Sequence, residues 1–218
     1  MDGFQGSEST WTLDFLGALG LLSACERSQV NAVLGDGKLA ACLEHAATIH
    51  LHIKVDDTDQ LPRGALEAGG GVLDHARSGF VKYRMPARIN AIFSHIAVSA
   101  DDLRECAANR RPRPFLDHVG IDIRRVDEGA RAAFDALPEA AASRGWVHVA
   151  QGGRGQLVRC CHFVVDEKRW LFPARAGSRP IEIALGPLRH GSGSPGCDLR
   201  PAHPDLVTPG ACCPGTPT

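Results

Sequence analysis

The sequence predicts an α+β fold: paired βαβββ modules forming a curved mixed sheet, with a short helical N-terminal extension and a disordered C-terminal tail. Three observations carry this. The stretches "TIHLHIKV" and "FLDHVGIDI" alternate apolar and polar residues, the period-2 signature of a strand. Each is followed by a helix-compatible segment and then by further short apolar runs, so the order reads β–(weak α)–β–β, then β–α–β–β–β. From Arg189 onward the composition turns to Gly, Ser and Pro, which bury too little apolar surface to offset chain entropy.

Residues 1–46 form the extension. "TLDFLGALGLLSACERSQVNAVL" and "GKLAACLEHAA" read as two short helices punctuated by "GDG" at Gly35–Gly37. No chemistry is legible in them. The body spans 47–188. Its first strand places Ile49, Leu51, Ile53 and Val55 on one face and His50, His52 and Lys54 on the other, a half-buried pattern. Residues 57–79 should hold a crossover helix kept short by Pro62 and Gly69–Gly71. "GFVKYRM" and "RINAIFSH" then read as two strands around Pro86, followed by a polar loop ending in "RRPRP".

In the second half, "FLDHVGIDI" sets Leu116, His118, Gly120 and Asp122 on one face. "VDEGARAAFDALPEAAASRGW" is a helix, or a pair divided at Pro138, with Gly145 as its C-terminal stop. "CHFVVDE", "KRWLFPA" and "RPIEIALGPL" supply three further strands. The tail, 189–218, closes the chain.

Composition narrows the function. A formal charge of -1 argues against a nucleic-acid binder, which normally carries a basic excess. The N-terminal apolar run is broken by Asp14 and follows acidic residues, against a signal peptide or membrane span. The eight cysteines show no CxxC and no zinc-knuckle spacing, so the expectation is a cytoplasmic protein with reduced thiols.

Two groups carry chemistry. His50 opens the first module, His118 the second, and Glu182 lies on the last strand. Two imidazoles and a carboxylate are the facial triad that leaves open positions on iron(II), although zinc, manganese and nickel suit the same donors. With ten histidines in the chain, a single one such as His118 is as readily an ordinary partly buried residue. His52 and His95 are rival first ligands. The second group is the adjacent pair Cys160–Cys161. Consecutive Cα atoms lie ~3.8 Å apart, too close for a normal bridge, so two free thiols on a turn or loop suit a soft ligand. The plainer reading is two small buried apolar side chains.

These residues carry a family resemblance. "FLDHVGIDI" resembles the "LDHLGIQV" strand of the carbon–arsenic lyases and cadmium-induced proteins, a branch of the vicinal oxygen chelate superfamily, whose architecture is two βαβββ modules in one open sheet. "RCCHFVVDEKRW" is similar to the branch's "CCYAVQDKVW", "RPIEIALG" to its "WEVY" strand, and "GFVKYRMPARINAIFS" to its "YAKWMLDDPRVNFAIS". The likeness covers roughly 48–188; its most specific element is the cysteine pair followed by Asp166, Lys168 and Trp170.

The resemblance implies that His50, His118 and Glu182 hold catalytic Fe(II), and that Cys160 and Cys161 capture a trivalent organoarsenical such as methylarsenite or an aromatic arsenical. It implies dioxygen as co-substrate, cleavage of the carbon–arsenic bond, and release of arsenite. Lys168 and the terminal pair Cys212–Cys213 are accessory candidates, and a homodimer is expected because superfamily members often pair modules between chains. Two alternatives stand beside the lyase: thiol-based sequestration of cadmium or arsenite without turnover, and another glyoxalase-like metalloenzyme.

Overall fold

The computed structural model describes residues 5–55, 61–77, 80–87, 89, 91–96, 114–153, 156–160, 163–174, 178–187 and 189–190. Its main sheet has eight strands: β1 (Thr48–Val55), β2 (Val72–Arg77), β3 (Phe80–Arg84), β4 (Ala91–Ile96), β5 (Phe115–Ile123), β6 (Val147–Gly152), β9 (Glu167–Phe172) and β10 (Ile181–Leu185). They run in the order β2-β3-β4-β1-β5-β10-β9-β6, an open sheet whose two halves mirror each other. In each half the module's last strand returns parallel to its first, β4 beside β1 and β10 beside β5, while β1 and β5 meet antiparallel at the centre. This is the predicted paired βαβββ arrangement. Between β6 and β9 the chain adds β7 (Val158–Cys160) and β8 (Phe163–Val165), which join β11 (Arg189–His190) in a second sheet.

Among the described residues six helices accompany the strands: α1 (Gln5–Ala18), α2 (Ala24–Leu34), α3 (Ala40–Glu44), α4 (Arg63–Ala68), α5 (Glu128–Asp135) and α6 (Leu137–Ala142). The N-terminal segment thus forms three helices, not two. Ser23 starts α2 with a capping box, its hydroxyl accepting from the Glu26 N–H while the Glu26 carboxylate accepts from the Ser23 N–H. The predicted helix pair forms, divided at Ala136 with Pro138 in the first turn of α6, and Gly145 follows at φ +66°.

The segment 57–79 holds the short helix expected of it, α4 being six residues long, but Val72–Arg77 is an edge strand that the sequence reading did not include. Gly70 explains the break: at φ +82° it turns the chain in a conformation that costs other residues steric strain. Strand β6, "VHVAQG", is likewise absent from the predicted strands; its polar and small residues leave only two valines to mark it.

One core lies on the helical side of the sheet. Ile49, Leu51, Ile53, Ile121, Ile183 and Leu185 pack there with Leu13, Leu16, Val30 and Leu43 of the N-terminal helices. Each such side chain, fully buried, contributes roughly 1.5–3 kcal/mol. Residues 11–44 are therefore packed into the same core as the sheet. No helix among the described residues is long and apolar enough to cross a membrane.

Strand β1 corrects the half-buried reading: all eight of its residues are buried. Strand β1 is central, and its polar face is buried too: His50, His52 and Lys54 sit away from solvent. That covered polar face is where the candidate site lies.

Candidate metal centre

The site is assembled by strand register. His50 of β1 stands opposite Gly120 of β5, and Gly120 stands beside Glu182 of β10, so the three share one rung. Two rungs along, His52 faces His118. Because side chains alternate along strands, His50, His118 and Glu182 all project from the polar face. Their ligand atoms lie within 4.8 Å of one another, and His118 Nε2 is 3.5 Å from Glu182 Oε2. The structure therefore brings the predicted triple together.

Gly120 is the floor of this arrangement. An added Cβ would lie 2.6 Å from His50 Nδ1 and closer still to Cε1 and Nε2, so the imidazole occupies the space a side chain would take. The absent side chain lets His50 reach across β5 toward Glu182 on the next strand.

Strand β5 also contains an irregularity that alternation does not foresee. His52 pairs with His118, but Ile53 pairs with Leu116, leaving Asp117 as an extra residue. This is a β-bulge, a device that re-aims side chains and frequently borders functional sites. It moves Leu116 into the apolar core, against the expectation that it shares a face with His118. It also brings the Asp117 carboxylate to His118, with Oδ2 2.7 Å from Nδ1.

That contact sets the histidine's chemistry. An ionised carboxylate only accepts hydrogen bonds, so His118 Nδ1 donates and Nε2 keeps its lone pair, directed toward Glu182. His50 repeats the pattern, its Nδ1 lying 3.3 Å from Asp122 Oδ2. Histidines that ligate metals almost always donate their other nitrogen in this way. Burial, the largest influence, pushes the His118 imidazolium below its ordinary range, opposed by Asp117 and Glu182; neutral imidazole is the ligating form.

Two imidazole nitrogens, one carboxylate and two orienting carboxylates fit a divalent cation. Buried charge supports the fit: Asp117, Asp122 and Glu182 are all under 10 % exposed, and buried carboxylates require compensation. Part of that compensation is Lys168, 2 % exposed, whose Nζ lies 2.9 Å from Glu182 Oε2 and 4.8 Å above the Trp170 ring. Trp170 in turn meets His118 edge-to-face at 5.2 Å between centroids and donates from Nε1 to Gln151 Oε1. A second grouping, His52, Asp117 and His118, also has compact donors. It shares His118, and its shortest contact is the Asp117–His118 hydrogen bond, so it serves the first group as support. His95 lies on β4 in register with Lys54 of β1.

Of the thiol candidates, Cys160 is the last residue of β7 in the second sheet, opposite Phe163. Cys161, Cys212 and Cys213 lie outside the described residues. Sequence reasoning overlooked Asp117 as a partner of His118 and Gly120 as the seat of His50. The only available signal was their adjacency to His118 in "LDHVG".

No protein-family model matches this chain, and no curated protein does. Solved structures do align. Methylmalonyl-CoA epimerase from Mycobacterium tuberculosis aligns at 16 % identity and TM-score 0.40, over 65 % of this chain and 89 % of that one. Catechol 2,3-dioxygenase aligns at 18 % identity and TM-score 0.38, over 67 % of this chain and 40 % of that one. A homoprotocatechuate 2,3-dioxygenase variant from Brevibacterium fuscum aligns at 11 % identity and TM-score 0.38, over 67 % and 35 %. At these scores the alignments add nothing to the reading of the site.

Proposed function

We propose that this chain is a metal-dependent enzyme of the vicinal oxygen chelate type, and that it cleaves the carbon–arsenic bond of trivalent organoarsenicals with dioxygen. The observation that carries the metal reading is the convergence of His50, His118 and Glu182 from three strands of two modules. The arsenical reading rests on the vicinal Cys160–Cys161 pair and its flanking residues.

In this reading His50, His118 and Glu182 hold Fe(II), and Asp117 and Asp122 orient the two imidazoles. Bound iron supplies the one-electron chemistry that dioxygen requires. Cys160 and Cys161 capture the substrate by thiol exchange: methylarsenite's two hydroxyls leave as water with the two thiol protons, and two As–S bonds replace two As–O bonds. Carbon holds the third position of arsenic, so two thiols are the matching number. Atom balance on methylarsenite and one dioxygen leaves arsenite and formaldehyde. Burial of the His–carboxylate cluster keeps bulk water from it.

One observation favours sequestration without turnover. Lys168 already neutralises Glu182, so the cluster is partly compensated without a cation. Purified, thiol-reduced protein in air, with and without added iron(II), separates the readings. Iron-dependent release of arsenite and formaldehyde from methylarsenite is expected, and His118→Ala should abolish it. Stoichiometric arsenical binding without release, unaffected by His118→Ala, would establish sequestration instead.

A further inference from the structure

We infer that helix α2 supports the metal site, with its Glu26 and Gln29 acting as positioning residues for the strands that carry His118 and Glu182. This rests on the metal reading above.

The observation is a clamp between α2 and two strand entrances. Glu26 is 2 % exposed and divides its two oxygens. Oε2 accepts from the Ser23 N–H at 2.8 Å and the Ser23 hydroxyl at 2.7 Å, closing the capping box. Oε1 leaves the helix altogether and accepts from the backbone N–H of Leu116 at 2.8 Å. Leu116 directly precedes the bulge residue Asp117 and the ligand His118. A few residues before Glu182, the Arg179 N–H donates to Gln29 Oε1 at 3.1 Å. The Arg179 guanidinium lies 3.9 Å from Glu26 Oε1 and 5.2 Å over the Phe115 ring. One face of one helix therefore holds the approach to β5 and the approach to β10.

The location matters because strand pairing is incomplete there. The ladder between β10 and β5 opens with the Val119 N–H donating to the Pro180 carbonyl, so Leu116 lies beyond its first rung. On the other side of β5 the bulge interrupts pairing with β1. Glu26 supplies the acceptor that a neighbouring strand would otherwise provide, at the residue from which the bulge departs. A plain helix cap needs only the Ser23 contacts. The Leu116 and Arg179 contacts link the cap to the ligand strands.

Cobalt(II) titration of the full chain, followed by its visible ligand-field absorption, tests this at a temperature where circular dichroism shows every variant folded. Glu26→Ala is expected to weaken Co(II) binding about 10-fold, the size typical of lost outer-shell support, and to alter the band shape. Glu26→Gln retains an oxygen acceptor for Leu116 and should recover most of the affinity. Leu16→Ala, a core cavity in the same helical segment, should lower the melting temperature and leave Co(II) affinity unchanged. Should Glu26→Ala not fold, Gln29→Ala takes its place, with weakening of several-fold expected. Wild-type affinity in the clamp variants overturns the inference, as does equal weakening by Leu16→Ala, which would reduce the effect to lost stability. Absence of Co(II) binding by the wild-type protein would sink the metal reading, and this inference with it.

Discussion

Gly120→Ala is the most direct perturbation of the site's geometry. The added Cβ would lie 2.6 Å from His50 Nδ1 and closer to two other ring atoms. Ordinary contact needs about 3.5 Å, so the ring must withdraw by roughly 1 Å or more. His50 is 2 % exposed and bounded by Asp122 and His118, so withdrawal displaces them too. Overpacking of this kind costs about 1–3 kcal/mol. For a chain of this size that corresponds to a fall in melting temperature of about 2–12 °C. The decisive assay is a double-mutant cycle with His50→Ala, read by urea unfolding. With the imidazole gone, the added methyl fills the vacated space, and replacing a strand glycine should then be neutral or gain roughly 0.5–1 kcal/mol. A coupling energy of about 1–3 kcal/mol is expected. The same penalty in both backgrounds would refute the claim that Gly120 seats His50.

Three further outcomes follow from the structure. Lys168→Met leaves the buried Glu182 carboxylate without its 2.9 Å ammonium partner and should cost about 3–5 kcal/mol in chelator; added Co(II) should restore part of the loss, and melts that ignore the metal would contradict a cation at Glu182. Burial pushes the Cys42 thiol up to about 11. The unfolded thiol ionises first as pH rises above about 9, so this contribution, on the order of 2 kcal/mol, fades between pH 9 and 11. Urea unfolding across that range should therefore show a steeper decline for wild type than for Cys42→Ala, and parallel curves would count against it. Ser23→Ala removes the hydroxyl of the capping box and should cost about 1 kcal/mol, or about 2–4 °C in a thermal melt; no shift would mean that Glu26 holds α2 without it.

Local pattern carried much of the fold into view. The alternation in "TIHLHIKV" and "FLDHVGIDI" names strands because a pleated backbone sends successive side chains to opposite faces. The same alternation put His50 on the polar face of its strand and His118 on the face of Gly120 and Asp122, without saying that the two faces meet. Glycine and proline punctuation located the helix break to within two residues of Pro138 and the turn at Gly145 for the same kind of reason, since each restricts or frees its own backbone. It misled where the local signal was mixed: "GGGVLDHA" contains helix-compatible residues but follows three glycines, and an edge strand resulted.

The sequence by itself determined which residue types stand on which kind of element: two histidines and a glutamate on strands, and a cysteine pair ahead of an apolar run. Tertiary structure decided which of them meet. The rung His50–Gly120–Glu182 joins residues distant in sequence, and its register is set by packing of the apolar face across the whole sheet. The bulge at Asp117 is a mismatch between two strands, so neither strand contains it alone. The burial of His50, His52 and Lys54 belongs to the assembled structure, since the alternation of β1 alone reads as half-buried. The reach of Glu26 to Leu116 depends on where α2 docks. Periodicity records only what lies within a few residues along the chain, whereas the site is made of contacts between segments brought together by the closing of long loops.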